Sequence, residues 1–306
     1  MTTMIHWGPL APELHFGSNV WGVTLASLTD ESVRRALRDI LVRDGMLVFK
    51  DCMPGPEFHV SLSACFGPLL RHPAQEKWVE GYPELIGLTA EKEPIYELDD
   101  EVLAGYTPWH VDTIYTTNVS RGGVLRAVAL PQRGGNTGFI DRVDAYNRLP
   151  EARRRQIEGL EVAYSNEPAA QLQPYPPNMR VKQHCDSEAH QMVRLRAAKD
   201  FPNVAHPLVC VQPETGRKIL NLSPMFALHV VGMDAEESHE LLSVLSLHIT
   251  DESRAHFHHW SINDLVLWDN WRMLHRACGV PLGEHREMQR TTIAGEFELG
   301  RVLEAA

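Results

Sequence analysis

Asp264-Leu-Val-Leu-Trp-Asp-Asn-Trp-Arg-Met-Leu-His-Arg-Ala277 opens with a continuous apolar run between two aspartates and carries a histidine near its end. Its first half, DLVLWDN (Asp264 to Asn270), is too short for a stable helix and reads as a buried strand, with His275 following where the chain leaves it. Similar runs sit mostly in the last two-thirds of the chain: GVLRAVAL (Gly123 to Leu130), HPLVCVQP (His206 to Pro213), KILNLS (Lys218 to Ser223) and RTTIAGE (Arg290 to Glu296). Turn signals such as PQRGG and PETGRK separate several of them. Strands do not alternate regularly with helices, which weakens a doubly wound parallel sheet. An antiparallel sandwich or barrel, mainly β with helices packed outside, is the expected class. No G-x-G-x-x-G follows a strand and no Walker A loop occurs, so a nucleotide fold has no support.

Helical spacing is clearest after Asp30, where Val33, Ala36, Leu37, Ile40 and Leu41 recur on one side and Gly45 supplies a stop. GMLVFKD then reads as a short buried strand. Two further helices are expected, over Pro56 to Phe66 and over Asp234 to His248, the second with a capping-box spacing at Asp234 and Glu237. The Pro-rich QLQPYPPNMR (Gln171 to Arg180) opens a long excursion to about Asn203. The expectation is one domain spanning 1–306, with a lid or binding loop at 165–203.

The chain has 306 residues, 43% hydrophobic and 23% charged, which excludes wholesale disorder. Its formal net charge is −11, which argues against a nucleic-acid or anionic-membrane binder. No apolar stretch reaches transmembrane length, and the N-terminal residues do not read as a secretory signal. Five scattered cysteines without C-x-x-C read as reduced thiols in a cytoplasmic protein.

Chemistry concentrates in Thr107-Pro-Trp-His-Val-Asp-Thr-Ile-Tyr115. On an extended segment His110 and Asp112 share a face and can meet one metal ion. A second histidine would complete a two-His-one-carboxylate face, the pattern of non-haem Fe(II) oxygenases. Taken alone, H-x-D is a weak signal, and a hydrogen-bonded pair on a strand is the blander reading. A rival pair, His184 and Asp186, sits in the polar excursion without strand signals around it. His275 is the best partner, with a structural histidine as its alternative. Arg286 and Arg290 are four apart, on one face of either a strand or a helix. A solvated strip is the common reading for such arginines. The run into apolar TTIAG favours burial, and a buried guanidinium calls for an anion. His256, His258 and His259 read as a solvated strand face, Trp268 and Trp271 as core, and Cys278 as a thiol without a base partner.

W-H-V-D at 109–112, G-G-N-T at 134–137, W-D-N…H-R-A from 268 and R-E-M-Q-R-T-T from 286 occur together in one order. With ACFGPLLRHP (Ala64 to Pro73), this series resembles the taurine dioxygenase (TauD/TfdA) family of Fe(II)- and 2-oxoglutarate-dependent oxygenases. The resemblance spans most of the chain, and the joint match is far more specific than any one motif.

What it implies is a double-stranded β-helix (jelly roll) carrying Fe(II) on His110, Asp112 and His275. Arg286, eleven after His275, and Thr137 match the positions that hold the distal carboxylate of 2-oxoglutarate. Arg290 matches an arginine that meets a substrate anion, and His72 a substrate-pocket histidine. Tyr106 and Trp109 lie where pocket residues are found, and Glu97 to Gly105 reads as an insertion. The implied reaction is O2-dependent hydroxylation of a small anionic molecule, releasing succinate and CO2, with C–O, C–N or C–S cleavage or desaturation as further outcomes. A homo-oligomer is common in such families. Two rivals stand beside this reading: a cupin-like metal-dependent hydrolase or lyase, which leaves Arg286 and Thr137 unexplained, and a silent ligand-binding member.

Overall fold

Two β-sheets face each other, and the residues that close the gap between them are the ones that carry chemistry. The computed structural model describes residues 5–53, 55–72, 75–166, 175–176, 181–185 and 201–304. It is mainly β, 36% strand against 24% helix. The larger sheet runs in the order His6–Pro9, Ser18–Trp21, Met46–Phe49, Leu265–Asp269, Gly122–Ala129, Glu287–Ile293, Tyr82–Thr89 and Trp78–Val79, with Leu69–Leu70 added against Glu287–Ile293. The smaller runs Val181–Cys185, Ile95–Leu98, Glu101–His110, Met273–Pro281, Thr137–Asp141 and His256–His258. Every pairing in these two sheets is antiparallel except Ser18–Trp21 with Met46–Phe49.

Alternation decides what each face buries. Met46, Val48, Leu125, Ala127, Val266, Trp268 and Met288 point inward from the larger sheet and meet Phe139 and Met273 of the smaller one. Trp268 and Phe139 touch across the gap with ring centroids 6.0 Å apart. The opposite face of the larger sheet packs under the helices Glu31–Asp44 and Pro56–Ser63. On the far side of the smaller sheet, Trp109 and Ile140 share a core with Leu241, Leu242, Leu245 and Ile249 of the helix Ala235–Ile249.

The helix signals hold in detail. Asp30 accepts from the Ser32 amide, and Gly45 ends the helix at φ 79°. Asp234 accepts from the amides of Glu236 and Glu237. The helix expected to reach Phe66 stops at Ser63, because Cys65 and Phe66 donate to carbonyls three residues back and tighten the chain into a turn. The single strand expected over His206 to Pro213 is two: Val204–Pro207 pairs with Glu161–Tyr164, and Val209–Val211 forms a hairpin with Lys218–Leu220.

The segment Glu97 to Gly105, expected to be an insertion, lies in a hairpin between Ile95–Leu98 and Glu101–His110. Its two-residue loop, Asp99 and Asp100, takes φ of 53° and 67°. Two successive left-handed residues are what a tight hairpin loop requires, and Asp tolerates them. Most of the 165–203 excursion lies outside the described residues, as does Asp186. Its strand Val181–Cys185 pairs with Ile95–Leu98, so His184 sits in a strand although no strand signal surrounds it. Among the described residues no helix is long and apolar enough to cross a membrane.

Candidate active site

The strand Glu101–His110 and the strand Met273–Pro281 are neighbours, in a register that sets His110 directly against His275. Their imidazoles lie with ring centroids 4.1 Å apart. Asp112 is not on the strand, as the i, i+2 argument required. The strand ends at His110, and Asp112 begins a turn in which Thr113 takes φ 55°. That turn still brings the carboxylate back: Oδ1 is 3.5 Å from His110 Nε2, and Oδ2 is 3.4 Å from His275 Nε2. One donor atom from each residue falls within 4.8 Å of the others, and all three residues are buried.

The donor set suits a borderline divalent cation such as Fe(II). His110 Nδ1 is 2.7 Å from the Pro108 carbonyl, which can only accept. Nδ1 therefore carries the proton and Nε2 turns its lone pair to the centre. Burial pushes His275 down to about 4, with His110 adding to the shift, so its neutral, ligating form prevails at neutral pH. Burial works against the Asp112 carboxylate, but Arg290 and His275 hold it well below the usual range. Arg290 Nη2 reaches Asp112 Oδ2 at 2.5 Å, and its guanidinium lies 5.5 Å from the centre of the Trp268 ring.

A cavity of about 130 Å³ runs from these histidines between the sheets. Thr137 and Arg286 line it. Burial pushes the Arg286 guanidinium down to about 10. Among the described residues its buried Nε has no hydrogen-bond partner, and no carboxylate forms an ion pair with it. Gly135 makes room, since a Cβ there would stand 3.1 Å from Arg286 Cδ. Such a guanidinium fits a bound carboxylate. Thr137 Oγ1 accepts from Trp260 Nε1 at 3.1 Å, which leaves its own hydroxyl proton to donate. Glu93 lines the same cavity and is tied at 3.3 Å to Lys77 Nζ.

Three expected pocket residues stand elsewhere. Counting back by twos from His110 aims Tyr106 at the cavity, but four residues of its strand, Thr107 to His110, span what three residues, His275 to Ala277, span on the partner. This bulge swings Thr107 into the cavity wall. Tyr106 packs instead against Tyr96, Leu103 and Val181. Trp109 points to the opposite face, fully buried against Phe257 and beneath Arg276. His72 is exposed, gives its carbonyl to Trp78 Nε1 and does not line the cavity. Thr107 and Glu93 were missed, the first because a bulge has no local signature, the second because an isolated Glu reads as surface. Tyr115 and Phe226, rings 5.0 Å apart, flank the His110 side, and the three-residue spacing of Tyr115 from Asp112 was its only available signal.

Residues 8–292 match the family described as taurine catabolism dioxygenase TauD, TfdA family. The chain is 30% identical over 281 residues to an (S)-phenoxypropionate/alpha-ketoglutarate-dioxygenase of Sphingobium herbicidovorans, covering 92% of each. It is 28% identical over 285 residues to an alkylsulfatase of Acinetobacter baylyi, covering 93% of this chain and 84% of the relative. The crystal structure of AAD-2 in complex with Mn(II) and N-oxalylglycine matches with a TM-score of 0.73 at 25% identity, over 97% of this chain and 99% of that one. The chain belongs to the TauD/TfdA family. It is an oxidoreductase, a dioxygenase that uses Fe(II), 2-oxoglutarate and O2.

Proposed function

We propose that this dioxygenase hydroxylates a small organic anion, with Fe(II) held by His110, Asp112 and His275 and the distal carboxylate of 2-oxoglutarate held by Arg286 and Thr137. The observation that carries this is one cavity lined by His110 and His275, two of the three converging side chains, and by Arg286, whose buried Nε has no partner among the described residues. Bound there, iron and 2-oxoglutarate supply O2 activation and the oxidising equivalents, with succinate and CO2 as coproducts. The chain's own part is to present bare Nε2 atoms, keep Asp112 ionised and exclude water between two apolar sheet faces.

Arg290 is the residue we assign to the substrate anion. One of its nitrogens serves Asp112, and its buried Nε has no partner among the described residues. The guanidinium can thus hold the carboxylate and turn another edge to an anion. Relatives named for a phenoxypropionate and for an alkyl sulfate support an anionic substrate. Hydroxylation of a carbon that bears oxygen gives a product that collapses with C–O cleavage, an outcome we include in the proposal.

The facing antiparallel sheets support a jelly-roll topology, and the length of the family match supports a single domain. The pairing of Val181–Cys185 with the hairpin that carries His110 supports a lid role for 165–203. A cytoplasmic, homo-oligomeric enzyme completes the reading. The test is O2- and 2-oxoglutarate-dependent succinate release across carboxylates, sulfonates, sulfate esters and their neutral isosteres. Anions should be turned over well and isosteres poorly. If every efficient substrate is neutral, the role given to Arg290 is wrong.

A further inference from the structure

We propose that Asn270 is a positioning residue for the iron centre: its side-chain amide fixes the backbone of Asp112 and ties it to the turn that leads into His275. The inference rests on the assignment of His110, Asp112 and His275 as ligands. Asn270 directly follows the strand Leu265–Asp269 and is completely buried. Its Oδ1 accepts from the Asp112 amide at 3.0 Å. Its Nδ2 donates to the Asp112 carbonyl at 2.9 Å and to the Ser120 carbonyl at 3.0 Å. One amide thus meets both backbone groups of a single residue, as a neighbouring strand would. It does so just where the His110 strand has ended and the chain enters a turn with Thr113 left-handed. Buried backbone groups need such partners, and here a side chain provides them.

The anchor itself is fixed. The Asn270 amide donates to the Arg121 carbonyl at 3.0 Å. Arg142, 1% exposed, donates through Nη2 to the carbonyls of Asn270 at 2.9 Å and Trp271 at 2.7 Å. On the other side Arg290 pulls on Asp112 Oδ2. Asp has only two side-chain torsions, so the backbone position largely sets where its carboxylate lies. Releasing the backbone would let the carboxylate follow Arg290 out of the donor cluster. Beside the pairing of the His110 and His275 strands, the amide is a second link between the segments that supply Asp112 and His275, which are far apart in sequence.

The test uses Asn270→Ala and the near-isosteric Asn270→Asp, which keeps an acceptor for the Asp112 amide but loses both donors to carbonyls. Co(II) affinity is measured by visible titration, and backbone hydrogen exchange at Asp112 is measured in the metal-free full chain. Each variant should bind Co(II) about 10- to 100-fold more weakly, the range typical of groups that orient a metal ligand. Exchange at Asp112 should be faster. His110→Ala runs beside them and should abolish Co(II) binding. If Asn270→Ala does not fold, Asn270→Asp decides. A lower melting temperature with wild-type Co(II) affinity and wild-type Asp112 exchange overturns the proposal and leaves Asn270 purely structural. If His110→Ala also keeps its Co(II) affinity, the ligand assignment is what has failed, and the exchange at Asp112 still judges the clamp.

Discussion

His110 and His275 meet because two strands are in register, and Asp112 meets them because the chain turns immediately afterwards. His110→Ala should therefore lose tight Fe(II) binding and turnover, whereas His184→Ala should be milder. Full activity in folded, iron-loaded His110→Ala would end the ligand assignment. Arg286→Ala should weaken 2-oxoglutarate binding by roughly 2–5 kcal/mol, the scale for removing one partner of a desolvated charge pair. An anaerobic titration that finds unchanged affinity rejects that role. Glu93 carries the opposite sign. Its carboxylate shares the cavity with Arg286 and is neutralised by Lys77. Glu93→Gln should tighten 2-oxoglutarate binding and Lys77→Met should loosen it, each on the scale of about 0.5–1 kcal/mol expected for partly exposed charges. Equal shifts in one direction would contradict this. The convergence of His110, Asp112 and His275 and the placing of both arginines at one cavity were legible, because these residues sit in motifs of fixed spacing. Glu93 was not, because its role depends on a strand neighbour distant in sequence.

Caps and stops could be read residue by residue, and the helices Glu31–Asp44 and Ala235–Ile249 begin and end close to where those signals put them. Strand geometry was less open to reading. A single extra residue between Thr107 and His110 inverts which side chain faces the cavity, and period-two counting cannot see it. The short helix Pro56–Ser63 presses His59, fully buried, onto the larger sheet. Its Nε2 contacts the Val124 carbonyl at 3.1 Å, and burial pushes the imidazole down to about 3. The unfolded chain takes up this proton near pH 6.5, and the folded one only near 3. Between those values the unfolded state binds more protons, so stability falls as pH falls, by at most about 1.4 kcal/mol per pH unit from this group. Denaturant unfolding at pH 7, 6 and 5 should show a shallower decline in His59→Gln than in the natural protein. Parallel declines would mean that His59 contributes nothing to the acid sensitivity.

At the scale of the molecule, the C-terminal segment closes over the turn that carries Asp112. Leu299 and Gly300 donate to the Thr117 carbonyl at 3.1 and 3.0 Å, Asn118 Nδ2 donates to the Gly295 carbonyl, and Phe297 packs on Trp271. Arg301–Val302 then joins the strand Val204–Pro207. Ending the chain after Gly295 should lower the melting temperature and speed hydrogen exchange over residues 113–120; unchanged exchange there would show that the segment does not brace the turn. None of this was legible, because GEFELG alternates polar and apolar residues over only four positions between its glycines, and most of its contacts are backbone bonds to distant segments. The two-sheet architecture was legible in outline from the strand-like runs, but their pairing order was not, since antiparallel partners such as Glu287–Ile293 and Gly122–Ala129 are separated by about half of the chain. The whole account turns on one centre that binds iron and 2-oxoglutarate together. Anaerobic visible spectroscopy of the protein with Fe(II), before and after 2-oxoglutarate, tests it most directly. A weak charge-transfer band should appear only with both present and be lost in His110→Ala. Metal-loaded, folded protein that gives no band, or a band that survives in His110→Ala, would contradict the account.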